Sequence, residues 1–173
     1  MRSILCFGAL IWFCLSRFTK VLYNLDMSEN SNVQTGVVAD SSVETIQQLN
    51  YVLTQLSSGT KVDEARLKKI IESDTADIIV AKVDGKIVGM ATINVIQKLA
   101  SAKAELEDFV VDSGQRGSGV AGILWEALVE WCKSKGVENL EFTSRSSREA
   151  AQRFYAKMGA EIRDTNFFRY KIK

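Results

Sequence analysis

Glu105 and Glu107 stand two residues apart, just ahead of the glycine-rich run Asp112-Ser113-Gly114-Gln115-Arg116-Gly117-Ser118-Gly119-Val120-Ala121. Strict strand alternation places both carboxylates on one face with Phe109 and Val111, and Asp108 on the opposite face unless a bulge intervenes. Two carboxylates on a partly apolar face repel each other, which raises one pKa toward the range of a general base. The run that follows has no bulky side chain and leads into a helix. A helix start presents unpaired backbone N–H groups and about half a positive charge. The glycines let the backbone approach an anion closely, and Arg116 adds a full charge. Together these make a cradle for phosphate or pyrophosphate.

Composition narrows the chemistry further. The 173 residues include no histidine and no proline. A Ser-His-Asp triad, a Cys-His dyad, the HExxH zinc motif and an imidazole base are therefore excluded. Lys and Arg number 22 against 21 Asp and Glu, a net charge of +1, which argues against nucleic acid as a partner. The three cysteines, Cys6, Cys14 and Cys132, form no CxxC pair. No disulfide framework and no metal is expected, and a reducing, cytoplasmic compartment is the default.

The elements that must position these residues can be read from periodicity. Residues 1–30 are set apart as a hydrophobic extension and linker, and residues 33–173 as one domain. Ile4 to Leu15 is an apolar run between Arg2 and Arg17, too short to span a bilayer. It reads as a weak signal or membrane anchor, as an interfacial or packed helix, or as a non-native extension ahead of Met27. Any membrane association or secretion would act through this run. Beyond it come a strand from Val33 to Ala39 and helices from Val43 to Leu53 and from Val62 to Glu72. Strands Asp77 to Val83 and Lys86 to Ile93 flank Asp84-Gly85, a strong hairpin signal. A strand from Ala104 to Val111, a helix from Ser118 to Lys133 and a strand from Val137 to Phe142 follow. A helix from Ser147 to Met158 and two short strands within Ala160 to Ile172 close the chain. The hairpin and the later β-α-β order predict an α/β fold with a mixed, mostly antiparallel sheet flanked by helices.

Three families use a glycine-rich anion turn. The P-loop string GxxxxGK[ST] is absent. The dinucleotide fingerprint GxGxxG occurs as Gly117-Ser118-Gly119-Val120-Ala121-Gly122, with Glu141 near the spacing of a ribose-binding acid. Against a dinucleotide enzyme stand the residues between Val111 and Gly117 and the upstream hairpin. The third pattern, Arg116-Gly117-Ser118-Gly119-Val120-Ala121 after Val-Val-Asp, resembles the Gln/Arg-x-x-Gly-x-Gly/Ala loop of the GCN5-related N-acetyltransferase (GNAT) superfamily. A second block, Ala151-Gln152-Arg153-Phe154-Tyr155-Ala156-Lys157-Met158-Gly159, resembles that superfamily's later helix. The resemblance spans Val33 to Lys173. Departures are Arg148, where many members have Asn, and Ala160 after Gly159, where many have Phe.

The resemblance implies a small single-domain acyltransferase with acetyl-CoA as donor and a primary amine, on a small molecule or a protein, as acceptor. Gln115, Arg116, Gly117, Ser118, Gly119, Val120 and Ala121 would hold the pyrophosphate. Backbone N–H groups near Phe109, Val110 and Val111 would meet the pantetheine arm and the thioester oxygen, and Arg148 would add a contact to that arm. Tyr155 would protonate the leaving thiolate, and Glu107 or Glu105, directly or through water, would take the proton of the amine. A CoA-binding sensor without turnover is the alternative from another class. The oligomeric state, a homodimer included, is left open by these residues.

Overall fold

The structure is a computed structural model and describes residues 32–172. The apolar run Ile4 to Leu15 lies outside the described residues. The elements in order are β1 (Val33–Val37), α1 (Val43–Leu53), α2 (Glu64–Ile71), β2 (Ala76–Val83), β3 (Lys86–Gln97), β4 (Ala102–Val111), α3 (Val120–Ser134), β5 (Leu140–Glu141) and α4 (Glu149–Lys157). A single 3-10 turn, Ser113–Gln115, joins β4 to α3. The chain falls into two units, one ending at Glu141 and one beginning at Phe142.

In the first unit the strands lie in the order β1-β2-β3-β4-β5. Neighbours from β1 to β4 are antiparallel, and β5 runs parallel to β4. Asp84 and Gly85 both take positive φ, 49° and 78°, as the tightest two-residue hairpin requires. Ala76 to Ala81 of β2 are buried without alternation, because helices cover both faces of the sheet. On one face Leu49, Val52 and Leu53 of α1 and Leu67 of α2 pack with Val80, Met90 and Val110. On the other, α3 comes so close that a Cβ at Gly89 would sit 3.4 Å from the side chain of Leu124. Burial of each large apolar side chain in these layers contributes about 1.5–3 kcal/mol.

Local chemistry sets the element ends. Ser42 caps α1 by accepting from the Thr45 N–H at 3.2 Å, and Asp63 caps α2 by accepting from the Arg66 N–H at 3.0 Å. Trp131 Nε1 donates to Asp77 Oδ2 at 2.8 Å, a buried polar bond between α3 and β2. Cys132 is buried, and burial pushes its thiol up to about 11, so it packs as a small apolar side chain. No helix among the described residues is long and apolar enough to cross a membrane.

Two expectations need correction. The strand expected from Val137 to Phe142 is reduced to Leu140–Glu141. The two strands expected within Ala160 to Ile172 do not form. Phe168, Tyr170 and Ile172 do alternate, but a strand also needs a ladder partner. No residue from Glu161 to Ile172 enters a ladder among the described residues, and Phe168, Tyr170 and Ile172 are exposed.

Candidate active site

The site begins with an irregularity in β4. Gly89 pairs with Val111 and Met90 with Val110, but Thr92 pairs with Glu107. Asp108 and Phe109 therefore stand together against Ala91 alone, which is a β-bulge. Asp108 takes φ 50°, a left-handed conformation that Asp tolerates better than most side chains. Residues opposite each other share a face, so the bulge changes the phase of the strand. Glu105 and Glu107 stay on the α1 face and are followed there by Val110. Val111 turns to the α3 face with Gly89.

This overturns the strict alternation that grouped Glu105, Glu107, Phe109 and Val111. The Phe109 ring meets Trp125 of α3 edge-on, with centroids 6.3 Å apart and planes at 79°. Asp108, expected on the far face, instead accepts from Thr92 Oγ1 at 3.3 Å. It joins the glutamates because the extra residue swings it round. Partial desolvation first, then the charge of Asp108, then that of Glu105, hold the Glu107 carboxyl above the usual carboxylate range. The bulge is the condition under which Asp108 leaves the far face, whereas Thr92 was not anticipated, since a bulge leaves no periodic signal.

The parallel ladder of β4 with β5 covers only Ala104–Leu140 and Glu105–Glu141. Beyond Glu105 the outer edge of β4 belongs to no ladder among the described residues, so Phe109, Val110 and Val111 pair with β3 side only or bulge from it. Glu141 forms an ion pair with Lys103 at 2.6 Å. That bond, and antiparallel pairing through β1 to β4, do not fit a ribose-binding acid in a doubly wound parallel sheet.

After Val111 the chain turns under tight local control. The Asp112 N–H donates to the Val88 carbonyl at 2.8 Å. Asp112 Oδ1 accepts from the Gly114 N–H at 3.1 Å and from Gln55 Nε2 at 3.2 Å. The Gly114 bond is the main cause that holds the Asp112 carboxyl below its ordinary range. Gln55 Oε1 also accepts from the Ser113 N–H at 2.8 Å. Gln55 lies just past α1 in a polar stretch, and nothing in its sequence surroundings singles it out.

Gly117 and Gly119 take φ 83° and 90°. Gly119 is the N-cap of α3 and offers no side chain to its amides. Ser118 does not substitute, because its hydroxyl donates back to the Gln115 carbonyl at 2.7 Å. Among the described residues no group accepts from the N–H of Gly117, Gly119, Val120 or Ala121. Arg116 and the glycines are exposed. A row of amides at a helix start, beside a guanidinium, fits an anion of the pyrophosphate type.

The second unit carries the remaining predicted residues. Tyr155 lies on α4 with its ring centroid 4.5 Å from that of Phe142 and 5.6 Å from that of Phe154. Burial pushes its phenol above the ordinary value, and the Arg148 charge opposes that rise. Arg148 is the N-cap residue of α4. Gln152 Nε2 donates to the carbonyls of Arg145 and Ser146 at 3.1 and 2.9 Å, tying down the loop ahead of the helix. No group of three or more His, Cys, Asp or Glu among the described residues is arranged to hold a metal ion.

Comparison with known proteins agrees with this geometry. The model of the acetyltransferase (GNAT) family matches residues 43–160. The L-amino acid N-acetyltransferase AaaT of Escherichia coli is 34% identical over 90 residues, 50% of this chain and 54% of that protein. An uncharacterized N-acetyltransferase of Mycobacterium bovis is 28% identical over 62% of this chain and 67% of its own. The chain thus spans about half the length of the first relative. Among solved structures, an aminoglycoside acetyltransferase from an uncultured soil metagenomic sample superposes with a TM-score of 0.70 at 22% identity, covering 82% of this chain and 97% of that one. Glucosamine-6-phosphate N-acetyltransferase from Arabidopsis thaliana gives 0.67 at 22% identity, covering 80% and 97%.

Proposed function

The chain belongs to the acetyltransferase (GNAT) family, and on that premise we propose that it moves the acetyl group of acetyl-CoA directly to a primary amine. The observation that carries this reading is the set of amides at Gly117, Gly119, Val120 and Ala121 with no acceptor among the described residues, in the turn that follows the bulged strand holding Glu107. Acetyl-CoA supplies an activated thioester carbonyl. Gln115 to Ala121 and the Arg116 guanidinium hold its pyrophosphate, and Arg148 adds a contact to the pantetheine arm. Backbone N–H groups of Phe109 to Val111 face the arm and the thioester oxygen. A preorganised donor of this kind is worth about 3–4 kcal/mol in other acyl transfers.

The balance of the reaction is simple. The amine nitrogen bonds to the carbonyl carbon, and the carbon–sulfur bond breaks. Glu107, with Glu105 beside it, takes the proton that the amine must lose. Its raised pKa makes it a better base than an ordinary surface glutamate. Tyr155 gives a proton to the thiolate. Because burial raises its pKa, the phenol stays protonated and ready through the neutral range, and the Arg148 charge favours the phenolate left behind.

The test is a panel of primary amines assayed by thiol release, with acetyl-CoA binding followed by thermal shift. Ligand at 100 times its Kd should add about 2.7 kcal/mol of stability to the wild type. Gly119→Glu forces a side chain into positive φ and sets a carboxylate where the anion sits, so the shift should vanish. Tyr155→Phe should bind normally and turn over slowly. Unchanged acetyl-CoA binding in Gly119→Glu overturns the cradle. Binding without thiol release for any amine supports a CoA-binding sensor instead.

A further inference from the structure

Gln55 and Asp112 are both half-buried, and their contacts converge where β4 becomes the turn. Gln55 Oε1 accepts from the Ser113 N–H at 2.8 Å, and its Nε2 donates to Asp112 Oδ1 at 3.2 Å. That same oxygen accepts from the Gly114 N–H at 3.1 Å. Asp112 is anchored in turn through its N–H to the Val88 carbonyl at 2.8 Å, and its carbonyl accepts from the Gln115 N–H at 2.9 Å. One planar amide thus closes a ring with two successive residues. Only Asn and Gln place a donor and an acceptor on one such group. A carboxylate at position 55 would still accept from Ser113 but would face the Asp112 carboxylate. A leucine there would leave both partners unmet.

Accepting the reading that residues 115–121 hold a diphosphate, we infer that Gln55 is the positioning residue for that turn. Its amide fixes Asp112 and Ser113, so the amides at Gly117 and Gly119 are aligned before the ligand arrives. It does not touch the ligand. Its contribution is preorganisation, which lowers the ordering cost of binding.

The experiment uses the full chain with acetyl-CoA as probe, measuring affinity by calorimetry and the melting temperature without ligand. Gln55→Glu should weaken acetyl-CoA binding roughly tenfold, as expected when one charge-assisted hydrogen bond is lost and two carboxylates face each other in its place. Adding Asp112→Asn in the same chain should recover part of that loss. The neutral amide removes the carboxylate repulsion, and its NH₂ can donate to the introduced carboxylate, but the one atom position that meets both residue 55 and Gly114 cannot then serve both, so the recovery is partial. A merely structural role would lower the melting temperature without this paired recovery of affinity. Gln55→Leu should weaken binding similarly, and it carries the test if Gln55→Glu does not fold. Unchanged affinity in both single variants, or no recovery in the double variant, overturns the positioning role. If Gly119→Glu loses binding while the Gln55 variants keep it, that role alone falls. If Gly119→Glu binds normally, the cradle itself is wrong.

Discussion

In β4, Ala104 and Glu105 pair with β3 on one side and β5 on the other, whereas Val110 and Val111 pair with β3 alone, beyond the bulge at Asp108 and Phe109. The first half is ordinary sheet. Every ladder bond there satisfies a backbone group and buries Ala104 and Leu106. The second half gives up regularity, turns an acid toward two others, and leaves one edge outside any ladder among the described residues. On the proposed reading, stability and reactivity thus come from adjacent stretches of one strand. The first unit can place strained groups beside Glu107 because the preceding residues are over-determined.

This contrast can be broken from either side. The largest effect is expected from deleting Asp108. Both flanking registers survive, since Glu107 stays opposite Thr92 and Val110 opposite Met90. The protein should therefore keep its far-UV spectrum while turnover falls on the order of 10³-fold or more, as the base and the backbone donors shift together. Loss of folding would show that the bulge belongs to the framework instead. Leu106→Ala, in the regular half, should do the opposite. It opens a cavity in a site 3% exposed and should cost about 2–5 kcal/mol in denaturant unfolding, with the pH profile of turnover unmoved.

Glu107→Gln should lower kcat about 10²-fold and abolish the acidic limb of the profile, with little change in melting temperature. A retained limb would remove Glu107 from the base role. The smallest and sharpest effect is that of Asp108→Asn. A base with a raised pKa is active only above that pKa, so the rate falls as pH drops through it. Removing the Asp108 charge lowers the Glu107 pKa and moves the limb to lower pH. Desolvation, the leading cause, remains, so the limb should move only part of the way back toward that of an ordinary glutamate. Asn tolerates positive φ as well as Asp does, so the bulge should persist. A limb that moves to higher pH would contradict the assignment.

Much of this was legible in the chain. The Asp84-Gly85 hairpin, the start of α1 at Val43 and the helix that follows Gly119 all declare themselves through turn chemistry, capping and period. The glycine turn ahead of α3 was legible because Gly117 and Gly119 take a positive φ that other side chains adopt only with strain. The phase of β4 was not, since a bulge arises from pairing with β3 and leaves the order of Glu107, Asp108 and Phe109 unremarkable. Gln55 was hidden for a related reason: its partners are 57 and 58 residues away. The C-terminal residues failed in the opposite direction. Phe168, Tyr170 and Ile172 have a strand's alternation, but alternation reports a face and says nothing of a neighbour to bond with.

The longest helix described here starts at a glycine with no cap of its own. On the proposed reading, its first turn is completed from outside, by the negative oxygens of the bound donor. A protein arranged in this way is sturdiest when its acyl carrier is plentiful and loosest when the carrier runs short. On that reading, its resistance to unfolding would rise with the supply of the donor.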